Sequence, residues 1–169
     1  MAGTAFEGRD ASDRAELLRA LDAVPWERLG LAREQGTPED VSRALRRIAR
    51  QGPDSAEDDC SPLFGHLAPG NGRLPSAATA ALPFVLRLAA DPGVGARVGL
   101  VALLAALVGT AATAEAQLVD AGWPAAWARH RAAAQALLAD PDPEVRYVAL
   151  PLAADPGHLL ERWRAEENG

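Results

Sequence analysis

Three histidines, one cysteine and a short acidic run are the residues of this chain whose types could do chemistry. His66, His130 and His158 would suggest zinc if two of them fell at the i, i+4 spacing that puts both imidazoles on one helix face, and none does. Cys60, with His66 further along, is a loose match to a thiolate and imidazole pair. No third residue marks an orienter and no turn marks an oxyanion hole, so Cys60 reads as a small buried side chain. Asp54, Glu57, Asp58 and Asp59 lack the alternating oxygen ligands and turn glycine of a cation loop, and fit better as caps of a helix start or as solvated charge. No catalytic residue, metal ligand or cofactor is expected from these spacings.

Two other groups have the types that bind macromolecules. Arg43, Arg46, Arg47 and Arg50 fall within about 100° of one another on a helical wheel, opposite Val41, Leu45 and Ile48. Such a stripe is either a solvated face paired with Glu39 and Asp40 or a contact for an acidic partner. Trp123, Trp127, His130 and Arg131 gather at one helix start, with Trp127, His130 and Arg131 at i, i+3 and i+4. Tryptophan and arginine are enriched at binding hot spots, whereas an inward Trp127 beside Ala134 and Leu138 would be ordinary core.

The elements that position these groups read as helices throughout. Thr37-Pro38-Glu39-Asp40 is a strong start, with a capping threonine, proline at the first helical position and carboxylates near the positive end of the dipole. That helix should run to Arg50 and stop at Gly52-Pro53. Upstream, Leu17, Leu18, Leu21 and Val24 recur at helical spacing behind Ser12 or Asp13. Residues 1–10 read as a disordered tail, 52–75 as an irregular insertion with room for a helix over Ser61 to Leu67, and 166–169 as a frayed end. Ser76 to Ala90 should be helical with a kink or break at Pro83, which lacks a backbone donor. Val94 to Glu115 should be a long helix, and its charge-free centre, Val98 to Thr110, the most buried segment. Helices then fit Trp123 to about Ala139, Pro143 onward behind Asp142, and a last one holding Leu159, Leu160 and Trp163. No alternating run of valine, isoleucine and aromatics marks a strand.

Composition agrees with one close-packed helical domain over 11–165. Of 169 residues, 49% are hydrophobic but only 5% aromatic, so alanine and leucine supply the core. There are 17 basic and 23 acidic residues, net −6, which disfavours nucleic acid as a partner. All the basic residues are arginine and Ile48 is the sole isoleucine, a bias of GC-rich genomes. A lone cysteine and an opening segment without an apolar run suit the cytoplasm. The charge-free stretch falls short of the roughly 18 apolar residues of a membrane span.

Compared with itself, the chain repeats. Leu88-Ala89-Ala90-Asp91-Pro92-Gly93 recurs at Leu152 to Gly157, and Leu138-Ala139-Asp140-Pro141 is a third copy. Superposing Asp91 on Asp140 also superposes Arg97 on Arg146 and Leu103 on Leu152. A helix, an Asp-Pro turn and a helix with an early arginine are thus written twice, as in a hairpin that must stack on neighbours to bury its apolar face.

Asp140-Pro141-Asp142-Pro143-Glu144-Val145-Arg146-Tyr147-Val148-Ala149-Leu150 resembles the second half of a HEAT repeat, in which Asp-Pro loops lead into Val-Arg and then Ala-Leu. Ser76 to Leu88, preceded by Pro62-Leu63-Phe64-Gly65-His66-Leu67, resembles a set of uncharacterised bacterial HEAT-like proteins from GC-rich genomes, although Leu67-Ala68-Pro69-Gly70 stands where their glutamine and glycines follow the histidine. The resemblance covers about Trp26 to Arg164. It implies an all-α fold, a short right-handed α-solenoid of about seven helices, with Asp91, Arg97, Asp140 and Arg146 as ladder residues tying adjacent repeats. The resemblance by itself implies no activity; because such stacks present long curved surfaces and the sequence shows no catalytic constellation, a non-catalytic module that binds a partner protein, monomeric or weakly self-associating, is expected. Two other HEAT-like or helical-repeat classes stay open: DNA glycosylases, which use tryptophans with a catalytic aspartate, and bilin-lyase-like accessory proteins that handle a tetrapyrrole.

Overall fold

The computed structural model describes residues 4–168. Eight α-helices follow one another: α1 (Thr4–Ala23), α2 (Pro38–Gln51), α3 (Ser61–Leu67), α4 (Ser76–Ala90), α5 (Arg97–Thr113), α6 (Trp123–Ala136), α7 (Pro143–Val148) and α8 (Pro156–Glu167), joined by short 3-10 turns. Among the described residues there is no strand, only one isolated parallel bridge between Leu74 and Val119. No helix there is long and apolar enough to cross a membrane.

Several bounds differ from those read in the sequence, each for a local reason. Helix α1 begins at Thr4, within the stretch read as a tail, while residues 1–3 lie outside the described residues. Pro83 stays inside one continuous α4. The segment read as an insertion is largely ordered: 3-10 turns at Gly52–Asp54 and Glu57–Cys60 lead into α3, which buries Leu63 and Leu67. Val94 to Ala96 form a turn before α5, because Gly95 must approach another turn closely. Helix α8 continues through Glu167, and Gly169 lies outside the described residues.

Packing is serial. Helix α4 contacts α2 and α6, while α5 contacts the Glu57–Cys60 turn, α3 and α7; α4 and α5 also pack along each other. The three pairs (α2 with the Glu57–Leu67 arm, α4 with α5, α6 with α7) each turn through a Pro-containing corner. The corners are tied, since Gly95 N–H donates to Gly52 O at 2.9 Å. At the other end the connecting loops zip together: Ala77 N–H donates to Gly30 O at 3.1 Å, Leu74 N–H to Leu118 O at 2.9 Å and Asp120 N–H to Leu74 O at 2.8 Å.

One continuous core of leucine, alanine and valine fills the space between the pairs. Val41, Leu45 and Ile48 are wholly buried, as their spacing requires. The most buried helix is α4, with nine of its fifteen residues buried, against six of seventeen in α5. Flanking neighbours decide this: α4 is enclosed by α2, α5 and α6, whereas α5 leaves Gly109 and neighbouring small residues toward solvent, so absence of charge did not mean maximal burial.

Candidate functional site: the arginine face of α2

Helix α2 starts as its sequence dictates. Pro38 occupies the first position and the Asp40 carboxylate accepts the Thr37 N–H at 2.8 Å. The Thr37 bond, opposed by partial burial and reinforced by Arg43 and His66, holds Asp40 below its ordinary carboxylate value. With Val41, Leu45 and Ile48 turned into the core, the same 3.6-residue period turns the four arginines away from it.

Each arginine then meets a different neighbour. Arg43 pairs with Asp40 at 2.5 Å, as the sequence suggested, and is 74% exposed. Arg46 reaches across to Asp22 of α1 and is only a third exposed; Arg47 pairs with Asp59 at 3.4 Å. Arg50 is exposed and pairs with no carboxylate among the described residues. Glu39 takes none of the pairs expected of it; two of the carboxylates come instead from Asp22 and Asp59, elements whose proximity α2 alone could not announce. Between the end of α1 and this face lies a groove of about 560 Å³, with Val24 and Trp26 on one wall and Ser42, Arg46 and Arg50 on the other. Ser42 is 4% exposed and its Oγ has no hydrogen-bond partner, nor does the buried Arg46 Nε. Neither Ser42 nor Asp22 stood out in the sequence. The only signal was that Ser42, Arg46 and Arg50 share an i, i+4 line.

The tryptophan cluster divides. Trp123, grouped in the sequence with contact residues, is 4% exposed and belongs to the core. Trp127 stacks on it, ring centroids 6.1 Å apart and 3° from parallel, and packs partly buried against the core. That leaves the outer part of Trp127 and the exposed Arg131 as surface. The cluster and the arginine face are not brought together: α2 and α6 each pack on α4 and share no extensive contact with each other. Asp120, the carboxylate just before Trp123, accepts the Thr79 hydroxyl at 2.8 Å and the Gly122 N–H at 3.2 Å, and so serves the loop.

The Asp-Pro turns are structural. Asp91 Oδ1 accepts the Gly93 N–H at 2.8 Å and Asp140 Oδ1 accepts the Asp142 N–H at 2.9 Å, the same turn built twice. Arg97 donates to Ala89 O at 2.8 Å and pairs with Asp140, joining the first turn to the second, with both side chains 11% exposed. Asp91 pairs not with Arg97 but with Arg14 of α1 at 3.6 Å, and Arg146 folds back on the carbonyls of Asp140 (2.7 Å) and Pro141 (3.1 Å). Of these bonds, Arg97 to Asp140 and Arg14 to Asp91 cross between units, while Arg146 closes on its own turn.

Cys60 is wholly buried, and burial, reinforced by the charges of Asp59 and Glu57, pushes its thiol up to about 12, the opposite of an activated nucleophile. Asp59 accepts the Ala56 N–H at 2.8 Å, so part of the acidic run does cap a turn. Among the described residues no three His, Cys, Asp or Glu side chains gather where they could hold a metal ion. Compared with known proteins, the chain matches no family model, no curated protein and no solved structure.

Proposed function

We propose that this chain is a non-catalytic interaction module, a short right-handed α-solenoid of HEAT-like hairpins that binds a partner protein through the arginine face of α2. Serial packing of α2, α4 and α6, and of the Glu57–Leu67 arm, α5 and α7, supports the stacked-hairpin reading. So does the Arg97 to Asp140 bond between successive turns. The observation that carries the binding reading is the arginine face itself, four guanidinium groups of which that of Arg50 pairs with no carboxylate among the described residues, beside a groove that no part of the described chain fills. Its complement is an acidic or mixed-charge protein.

The test is affinity capture from the native host followed by reconstitution with the purified partner. Arg43→Glu with Arg47→Glu should weaken that complex at least about tenfold and flatten its salt dependence, since rim charges set electrostatic steering. Melting should move little, because both side chains are mostly exposed and such pairs contribute about 0–1 kcal/mol. A complex indifferent to the double variant, or no partner at all, would overturn the reading.

A further inference from the structure

We propose that the groove between α1 and α2 seats an extended, mixed-charge segment of the partner by one carboxylate, which the Ser42 hydroxyl and the guanidinium groups of Arg46 and Arg50 hold together. This rests on the protein-binding reading above and adds the place and the chemistry.

The first ground is an unmet hydrogen-bonding demand. A buried hydroxyl without a partner costs about 1–3 kcal/mol, and a serine within a helix ordinarily relieves that by bonding back to the carbonyl four residues earlier. Ser42 is 4% exposed, lines the groove and makes no such bond. One turn further on, Arg46 pairs through its Nη2 with Asp22 and leaves the buried Nε unpartnered. Another turn on, Arg50 faces the same groove with no carboxylate of its own among the described residues. Three donors at i, i+4 and i+8 lie along one line, where an acceptor with two oxygens can take more than one of them.

Charge decides which acceptor. Asp22, Glu27 and Glu39 also line the groove, and Arg43 and Arg47 are turned into pairs with Asp40 and Asp59. A phosphomonoester, carrying about −1.5 to −2, would sit beside three carboxylates, whereas a single carboxylate matches the one uncommitted guanidinium of Arg50. Glu27 and Glu39 in turn favour basic residues flanking that carboxylate. Shape decides the rest. The groove follows α2 from Glu39 to Gln51, about 18 Å at ~1.5 Å per residue, which is the span of about five extended residues. Val24 and Trp26 give it an apolar wall for a neighbouring side chain.

The experiment is a heteronuclear NMR titration of the whole chain with a defined probe, the peptide acetyl-Arg-Ala-Glu-Leu-Arg-amide. Saturable shifts are expected at the Ser42, Arg46 and Arg50 amides and at the Arg46 Nε–H. The peptide with Gln in place of Glu should bind about tenfold more weakly, and Ser42→Ala and Arg50→Gln should each weaken the Glu peptide by about three- to tenfold, with melting unchanged in Arg50→Gln and raised in Ser42→Ala, which removes the unmet hydroxyl. Arg131→Gln should change nothing. Equal binding of the Glu and Gln peptides, or no loss in Ser42→Ala, would overturn the site. Tighter binding of inorganic phosphate or of a phosphoserine peptide would convert it to a phosphate site and overturn the carboxylate. Shifts at these amides that depend on protein concentration alone would show that a second copy fills the groove. If the peptide fails while the purified partner still depends on Arg43 and Arg47, the groove proposal falls and the interaction reading stands.

Discussion

Asp140 is the residue on which two hairpins converge. Burial by itself would raise its carboxyl, but the Arg97 hydrogen bond, the Asp142 N–H and the charges of Arg97 and Arg146 more than offset this and hold it below 3.8. A folded value below the ordinary one means that the native state binds fewer protons, so the carboxylate stabilises the fold fully above pH 3.8 and loses that contribution as pH falls through the folded value. Asp140→Asn would leave Arg97 buried beside a neutral partner, and should cost about 2–3 kcal/mol at neutral pH. Measured by urea unfolding against pH, the gap between wild type and variant should close below pH 3.8; a gap constant with pH would mean that the pair contributes only its shape. Trp127 was ambiguous in sequence because a tryptophan at helical spacing serves a core or a surface equally well. Stacking on the buried Trp123 settles its inner face as core.

Helices were easier to read than the contacts between them. Thr37-Pro38 and Asp142-Pro143 announce their starts because capping and proline act locally, and the Asp142 carboxylate does accept the Glu144 N–H at 2.9 Å. The arm from Gly52 to Leu67 reads as irregular because its order is borrowed from other elements: the Ser55 hydroxyl donates to Gly52 O at 2.5 Å and accepts the Ala96 N–H at 3.1 Å, from the turn before α5. Gly95 makes that meeting possible. A Cβ there would lie 2.1 Å from Ser55 O and 2.6 Å from Pro53 O, both backbone atoms that cannot swing aside. Gly95→Ala should therefore separate the two turns and destabilise the protein by about 1–3 kcal/mol, the usual cost of overpacking. Gly109→Ala, where nothing lies within 4 Å, is the matched control and should be neutral or slightly stabilising, since alanine is the better helix former. Equal melting of the two variants would show that the turns are not in contact.

At the scale of the whole molecule, one core runs through α1 to α7, so damage at its centre should spread. Leu104 is wholly buried in α5. Leu104→Asp would leave an unpaired charge there at a cost of several kcal/mol, a large part of the ~5–15 kcal/mol that holds a domain of this size together. Circular dichroism should show loss of the cooperative helical melt, and wild-type melting would show that Leu104 does not lie in the core. By itself the sequence determined what depends on near neighbours: helix content, the apolar faces, the caps, the Asp-Pro turns and the repeat that relates them. These follow from a 3.6-residue period, proline's missing donor and the short reach of an aspartate side chain, all of which act within a few residues. Only the tertiary structure decided which Asp meets which Arg, why α4 is more enclosed than α5, that Asp22 and Asp59 neutralise the arginine face, and that Ser42 ends in a groove with nothing to bond. Each of those depends on which helices lie side by side, and many packings of the same amphipathic helices satisfy the same local pattern.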